Sequence, residues 1–163
     1  RIPAGVVSNE IVQHHDWLPT FLAAAGEPDI VTKLKQGHTI GDKTYHVHID
    51  GYNILPYLTG EEDKSPRRGM IYFSDDCDVL GLRYENWKIV FLEQRCQGTL
   101  QIWFEPFTEL RAPKIFNLRT DPFEFADITS NTYYEWLLRH DFFVFYATAM
   151  ATKFAALTMP AAV

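Results

Sequence analysis

The chain has 163 residues, 47% hydrophobic and 22% charged, which is the composition of a globular protein and argues against disorder. A domain of this length buries roughly 68–70% of its unfolded surface. The formal charge of -6 argues against a nucleic-acid partner, because phosphate binding needs clustered Lys and Arg. No apolar run approaches the roughly 18–20 residues of a membrane span, so no membrane partner is expected.

The chain opens on Arg1 without a charged-then-apolar leader, so no signal peptide is expected within it. The missing Met points to residues cut from something longer, and a periplasmic or secreted parent would carry its leader upstream. Ile2 to Val12 reads as a buried strand or extended segment. Asp16 is positioned to cap a helix over Trp17 to Ala25 that Gly26 closes, with Pro19 tolerated in the first turn. A second helix is expected over Ile30 to Gln36, between Asp29 and Gly37. Residues 37–49 read as a loop or weak hairpin, Asp50-Gly51 as a turn, and Ile54 to Leu58 as a helical turn ended by Gly60.

Glu61 to Arg68 is a charged connector containing Pro66, and beyond it the character changes to β. Met70 to Phe73 predicts a strand, and Leu80 to Tyr84 with Trp87 to Glu93 predicts a hairpin about Glu85-Asn86. Gln101 to Phe104 suggests a short or irregular strand, and Lys114 to Leu118 closes the sheet. Thr132-Tyr-Tyr-Glu135 has the spacing of a capping box, which predicts one long helix from there to about Leu157. Phe143, Ala147, Met150, Phe154 and Leu157 make one apolar row on it, and Phe142, Phe145, Ala149 and Ala156 a second. A helix on one sheet needs a single stripe, so this one calls for a second cover.

Four clusters carry candidate chemistry. His46-Val-His48-Ile-Asp50 would place two imidazoles and a carboxylate on one face of a strand, a beginning for a metal site. No further ligand stands at a recognisable distance, and the polar face of a half-buried strand accounts for the pattern equally simply. His14-His15-Asp16 reads as a helix mouth, because adjacent side chains diverge. Asp75-Asp76-Cys77-Asp78 lacks the regular oxygen spacing of a calcium loop and reads as an exposed turn. Trp103-Phe-Glu-Pro-Phe107 suits a pocket rim, with core packing the commoner use of such aromatics. Cys77 and Cys96 flank the predicted hairpin; a bridge is geometrically conceivable and two free thiols are favoured. No Gly-x-Ser-x-Gly elbow or Gly-rich phosphate loop is present.

Lys114 to Glu124, with its Ile-Phe-Asn-Leu-Arg-Thr-Asp-Pro-Phe-Glu run, resembles the "LYDLxxDPxE" signature near the end of type I sulfatases, the arylsulfatase family. Pro122 fixes its own φ and pushes Asp121 toward an extended conformation, so the strand stops there. Further blocks follow the family's order. Arg1-Ile-Pro-Ala-Gly looks like the segment leaving the last active-site strand, and Asp16-Trp-Leu-Pro-Thr20 through Gly26 is similar to the "D-x-x-PT-hydrophobic-AG" helix. Asp50-Gly-Tyr-Asn-Ile-Leu-Pro-Tyr-Leu-Thr-Gly60 looks like "DGxSLxPxLxG", and Leu82 to Lys88 resembles the opening hairpin of the C-terminal sheet.

The resemblance covers nearly the full chain and implies the C-terminal portion of such an enzyme. It implies an α+β fold: residues 1–60 as a remnant of the α/β catalytic domain, then residues 66–163 as a small antiparallel sheet of about four strands packed by a long C-terminal helix. Type I sulfatases use a formylglycine made from the first residue of a C/S-x-P-x-R motif, together with a calcium ion. No Cys or Ser here begins that pattern, and Ser65-Pro66-Arg67 has the wrong spacing. The resemblance therefore implies no catalytic residue and no cofactor in this chain, with calcium and formylglycine expected only upstream. The implied partner is the missing N-terminal catalytic domain or another subunit, met through the C-terminal helix, a homo-oligomer included. Two rival readings are a stand-alone interaction or oligomerisation module, and a metal-dependent hydrolase built on His46, His48 and Asp50.

Overall fold

The computed structural model describes residues 2–96 and 98–158, and divides into two compact units, Arg1–Arg68 and Gly69–Val163. In the first unit a 3-10 turn, His14–Asp16, leads into α1, Trp17–Ala24. Helix α2, Ile30–Gln36, is followed by a two-stranded hairpin of β1, His38–Ile40, and β2, Lys43–Tyr45. Helix α3, Leu55–Thr59, begins with Pro56 in its first turn and ends at Gly60 in the left-handed conformation. Ile2 to Val12 does not form a strand. Val6 and Val7 are 68% and 91% exposed, and with no neighbouring strand to pair with, an apolar run gains no ladder.

The second unit is an antiparallel meander of β3 (Gly69–Phe73), β4 (Val79–Tyr84), β5 (Trp87–Glu93) and β6 (Thr108–Asn117), in that spatial order. The β4–β5 turn falls on Glu85-Asn86, with Tyr84 opposite Trp87. Strand β6 begins six residues earlier than Lys114, because Thr108 and Glu109 pair with Glu93 and Leu92 across a bulge. Gln101 to Phe104 does not extend the sheet. Leu100–Trp103 is a 3-10 turn whose first N–H groups meet the Thr99 side chain and carbonyl.

Helices α4 (Ala126–Thr129), α5 (Tyr133–Arg139) and α6 (Phe142–Thr158) follow the sheet. The single helix expected from Thr132 is broken at His140. The His140 ring donates from Nδ1 to the Trp136 carbonyl at 2.8 Å, and its backbone N–H turns to Leu137. A side chain occupying the i−4 carbonyl ends the regular ladder there. No side-chain cap forms at Thr132, and Glu135 pairs with Arg139 instead of reaching back.

The core of this unit joins Leu82, Ile89, Ile115 and Phe116 of the sheet to Tyr133, Leu137 and Ala147 of the helices. Trp87 stacks on Phe143 at 4.6 Å between ring centroids. Tyr133 also closes the outer edge of β6: its hydroxyl donates to the Ile115 carbonyl and accepts from the Ile115 N–H. That satisfies a backbone pair the sheet leaves open, and burial pushes the Tyr133 pKa up to about 12. Of the two apolar rows expected on α6, the first reaches the core through Phe143 and Ala147, while Phe142 and Phe145 of the second are exposed. The side chains of Met150, Phe154 and Leu157 lie outside the described residues.

Candidate functional site

The first unit is organised around a buried ion pair. Asp16 is fully buried where the 3-10 turn meets α1, and the Arg67 side chain is 6% exposed. The guanidinium grips the carboxylate in a fork: Nε donates to Oδ2 at 2.7 Å and Nη2 to Oδ1 at 2.6 Å. The Tyr52 N–H reaches Oδ1 at 2.9 Å, and the Gln13 N–H reaches Oδ2 at 2.8 Å. Arg67 Nη2 is also shared with His15 Nε2 at 2.7 Å and the Asp50 carbonyl at 3.0 Å, and the guanidinium carbon lies 4.7 Å from the Tyr52 ring centroid.

Neighbouring hydroxyls complete the brace. The Thr20 hydroxyl donates to the Asp16 carbonyl and accepts the Ile54 N–H. Ser65 donates to the Ile11 carbonyl and accepts the Arg67 N–H. Gly51 lies so close to the first turn that a Cβ there would stand 2.1 Å from the His15 carbonyl oxygen. Three segments distant in sequence, 10–20, 50–54 and 65–67, are thus tied by one polar knot.

Chemically this knot holds rather than reacts. A carboxylate offers about four acceptor positions, and here four donors fill them. Burial works to raise the Asp16 pKa, but the bonds from Arg67, Tyr52 and Gln13 and the guanidinium charge outweigh it and hold the carboxyl below its ordinary value. An Asp kept ionised with every lone pair engaged has no capacity to accept a substrate proton. Burial, and after it the Arg67 charge, lowers the His15 pKa. His15 Nε2 therefore accepts, and its proton resides on Nδ1.

The second polar cluster explains the Asp-Pro-Phe-Glu turn. Asp121 accepts the Phe125 N–H at Oδ1, 3.0 Å, and the Ala126 N–H at Oδ2, 2.8 Å, which ties the turn to the start of α4. Glu124 stands in the left-handed region at φ 57° and receives Lys88 of β5 on both oxygens, at 2.7 and 2.8 Å. Nearby, Lys114 lies between Glu93, 2.6 Å, and Asp127, 2.7 Å. Burial works against its charge, yet the two carboxylates outweigh that and carry its pKa up to about 12. The turn is stapled to the sheet by charge and to the helix by capping.

The other sequence candidates separate. Strand β2 ends at Tyr45, so residues 46–50 lack the alternation that would align His46, His48 and Asp50. The His46 ring packs over Gly37, where a Cβ would come within 2.5 Å of it, and His48 pairs with Asp50 at 2.7 Å. Among the described residues no three of His, Cys, Asp and Glu are grouped to hold a metal ion. His14 is exposed beside the knot.

Asp75 to Asp78 form an exposed turn closed by Ser74, whose N–H reaches the Asp78 carbonyl at 2.9 Å. Cys77 and Cys96 are free thiols. Core packing does not hold for Trp103, Phe104 and Phe107, which are 75%, 83% and 40% exposed. Sequence reasoning missed the Asp16–Arg67 pair. Its one signal was an acidic residue and a Thr flanking an otherwise apolar helix start, within the Asp16-Trp-Leu-Pro-Thr20 block.

The chain matches no protein-family model and no curated protein. Among solved structures it is similar to the PsFucS1 sulfatase from Pseudoalteromonas sp., at 26% identity and a TM-score of 0.55. The match covers 92% of this chain and 28% of that one. No helix among the described residues is long and apolar enough to cross a membrane. The chain is similar to that sulfatase structure over most of its own length, and spans less than a third of that protein's.

Proposed function

We propose that this chain is the C-terminal part of an arylsulfatase-like sulfuric-ester hydrolase of the type I family, completing its fold and pocket rim without carrying the reacting groups. The observation that carries this reading is the uncovered apolar side of α1. The first unit buries Pro19, Ile30 and Ile54 together with Asp16, Thr20, Ser65 and Arg67, while Trp17, Leu18 and Phe21 of α1 are 38%, 53% and 64% exposed. Burying apolar surface is what drives folding, so such a side calls for cover. A helix with its apolar side out suits the edge of a larger α/β domain. Residues 1–60 are then the tail of the catalytic domain, and residues 66–163 the terminal sheet-and-helix subdomain.

Sulfate-ester hydrolysis requires a positioned nucleophile and stabilisation of developing negative charge. On this reading both come from upstream residues, with the formylglycine and the calcium ion. The coding sequence in frame before Arg1 tests it: a C/S-x-P-x-R motif is expected there, and a start codon immediately before Arg1 would overturn the proposal.

A second reading is an interaction or oligomerisation module acting alone. It is favoured by α6, where Phe142, Phe145 and Tyr146 are 47%, 74% and 70% exposed on the face away from the core. A monomer at high concentration whose α6 face is inert to hydrophobic partners removes its support.

A further inference from the structure

His15 joins the polar knot of the first unit from outside: it is exposed, while Asp16 and Arg67 are buried. Its Nε2 and the Asp50 carbonyl share one nitrogen, Arg67 Nη2, at 2.7 and 3.0 Å. The charged side chains that act on the ring are Arg67 from the connector, Asp16 from its own turn, and Asp50 from the turn ahead of α3. His14 beside it is exposed, and the Tyr52 ring lies against the guanidinium. A guanidinium only donates, so the bond to Arg67 exists only while His15 is neutral and Nε2 accepts.

Protonation removes that lone pair and sets an N–H and a positive charge against Arg67 at hydrogen-bond distance. The imidazolium cannot turn to the Asp16 carboxylate, whose acceptor positions are filled by Arg67, Tyr52 and Gln13. Asp50 differs. Its Oδ1 pairs with His48 at 2.7 Å, and its Oδ2 meets no donor among the described residues. The Asp50 side chain is 43% exposed, so an imidazolium finds both room and a counter-charge there. Arg67 keeps its fork on Asp16 and its bond to the Asp50 carbonyl when the ring departs.

We propose that His15 is a proton-operated latch with two positions: neutral, it ties the 3-10 turn to Arg67, and protonated, it leaves the guanidinium for the Asp50 carboxylate. The exchange falls below pH 6.5, because burial and the Arg67 charge both favour the neutral ring. Acid then loosens the turn from the segment at 65–67, while the buried Asp16–Arg67 pair stays closed. One tie of the knot is conditional on pH, and the others are not.

Nitrogen-15 NMR of the histidine rings in the 163-residue chain, titrated between about pH 8 and about pH 5, tests the latch. The His15 signals are those absent from His15→Asn. At high pH the ring should carry its proton on Nδ1 and show proton cross-relaxation with the Arg67 side chain. Through a midpoint below pH 6.5 that contact should disappear and one to Asp50 should replace it. Asp50→Asn keeps the backbone carbonyl on Arg67 but removes the second seat. It should lower the His15 midpoint by about half a pH unit, the size of one exposed ion pair. The Tyr52 N–H, held by Asp16, reports that the knot remains folded in this variant. A ring that titrates without leaving Arg67 would overturn the proposal, as would an Nε2–H form at high pH or a midpoint that Asp50→Asn does not move.

Discussion

Replacing Arg67 with Met leaves Asp16 buried and ionised with two backbone N–H donors, Tyr52 and Gln13, and no counter-charge. Breaking a buried pair by removing one partner costs about 3–5 kcal/mol, much of it for the stranded charge. Native domains have about 5–15 kcal/mol in total, so the first unit of Arg67→Met should open on a large scale. The assay is amide hydrogen exchange, with the Tyr52 and Ile54 N–H groups as reporters, since one is held by Asp16 and the other by Thr20. Their exchange should accelerate by about two orders of magnitude or more, the equivalent of about 3 kcal/mol. The Ile115 N–H, held by Tyr133 in the second unit, serves as the internal control and should stay unchanged.

Two companion variants sharpen this. Arg67→Lys cannot make the bidentate fork and should fall between wild type and Met. The double variant Asp16→Asn with Arg67→Met should recover part of the loss, because no charge is stranded. If Arg67→Met leaves both reporters within about threefold of wild type, a shift well under 1 kcal/mol, the knot does not organise the first unit.

Gly51→Ala should destabilise the first unit by at least about 2 kcal/mol, read from its urea midpoint, because the new Cβ meets a backbone oxygen that cannot give way. Cys77→Gly should stabilise the second unit by about 1 kcal/mol, read as a higher thermal midpoint, since Cys77 is held at φ 68° in an exposed turn. His15 has a lowered pKa in the fold, so below pH 6.5 the unfolded chain takes up its proton more readily. The stability it contributes is present above the unfolded value and is lost as pH falls toward the folded one. His15→Asn should flatten the urea midpoint against pH in that window, and an unchanged slope would assign it to other groups.

The elements legible in the sequence are those fixed locally. The β4–β5 hairpin, β3 and α2 follow from short-range pattern and turn chemistry, and lie where Glu85-Asn86, Met70 to Phe73 and Ile30 to Gln36 put them. Capping signals placed the starts of α1 at Trp17 and α5 at Tyr133, but not the bonds of the capping side chains, which have longer-range uses. Asp16 has the position of a cap, but its carboxylate is drawn to an arginine 51 residues away. No spacing rule encodes such a pair. Thr132 and Glu135 have capping-box spacing, but Glu135 finds Arg139 one turn on, and the His140 ring ends the helix that the box was to start.

His46, His48 and Asp50 looked aligned only on the premise of a continuous strand, which stops at Tyr45. The outward turn of Trp103 and Phe104 was hidden for a different reason. Aromatic content signals a core, and the bonds from Gln94 and Gln101 to Glu105 that shape the turn carrying these residues follow no pattern. The Asp-Pro-Phe-Glu run was legible as a strand stop, but its bonds to Lys88 and α4 were not.

Turnover of an aryl sulfate, measured side by side for the 163-residue chain and for its in-frame parent, tests the central claim most directly. Hydrolysis by the parent and none above buffer by the chain alone is the predicted result. Turnover that scales with the concentration of the isolated chain would contradict it, and would place a nucleophile within residues 1–163.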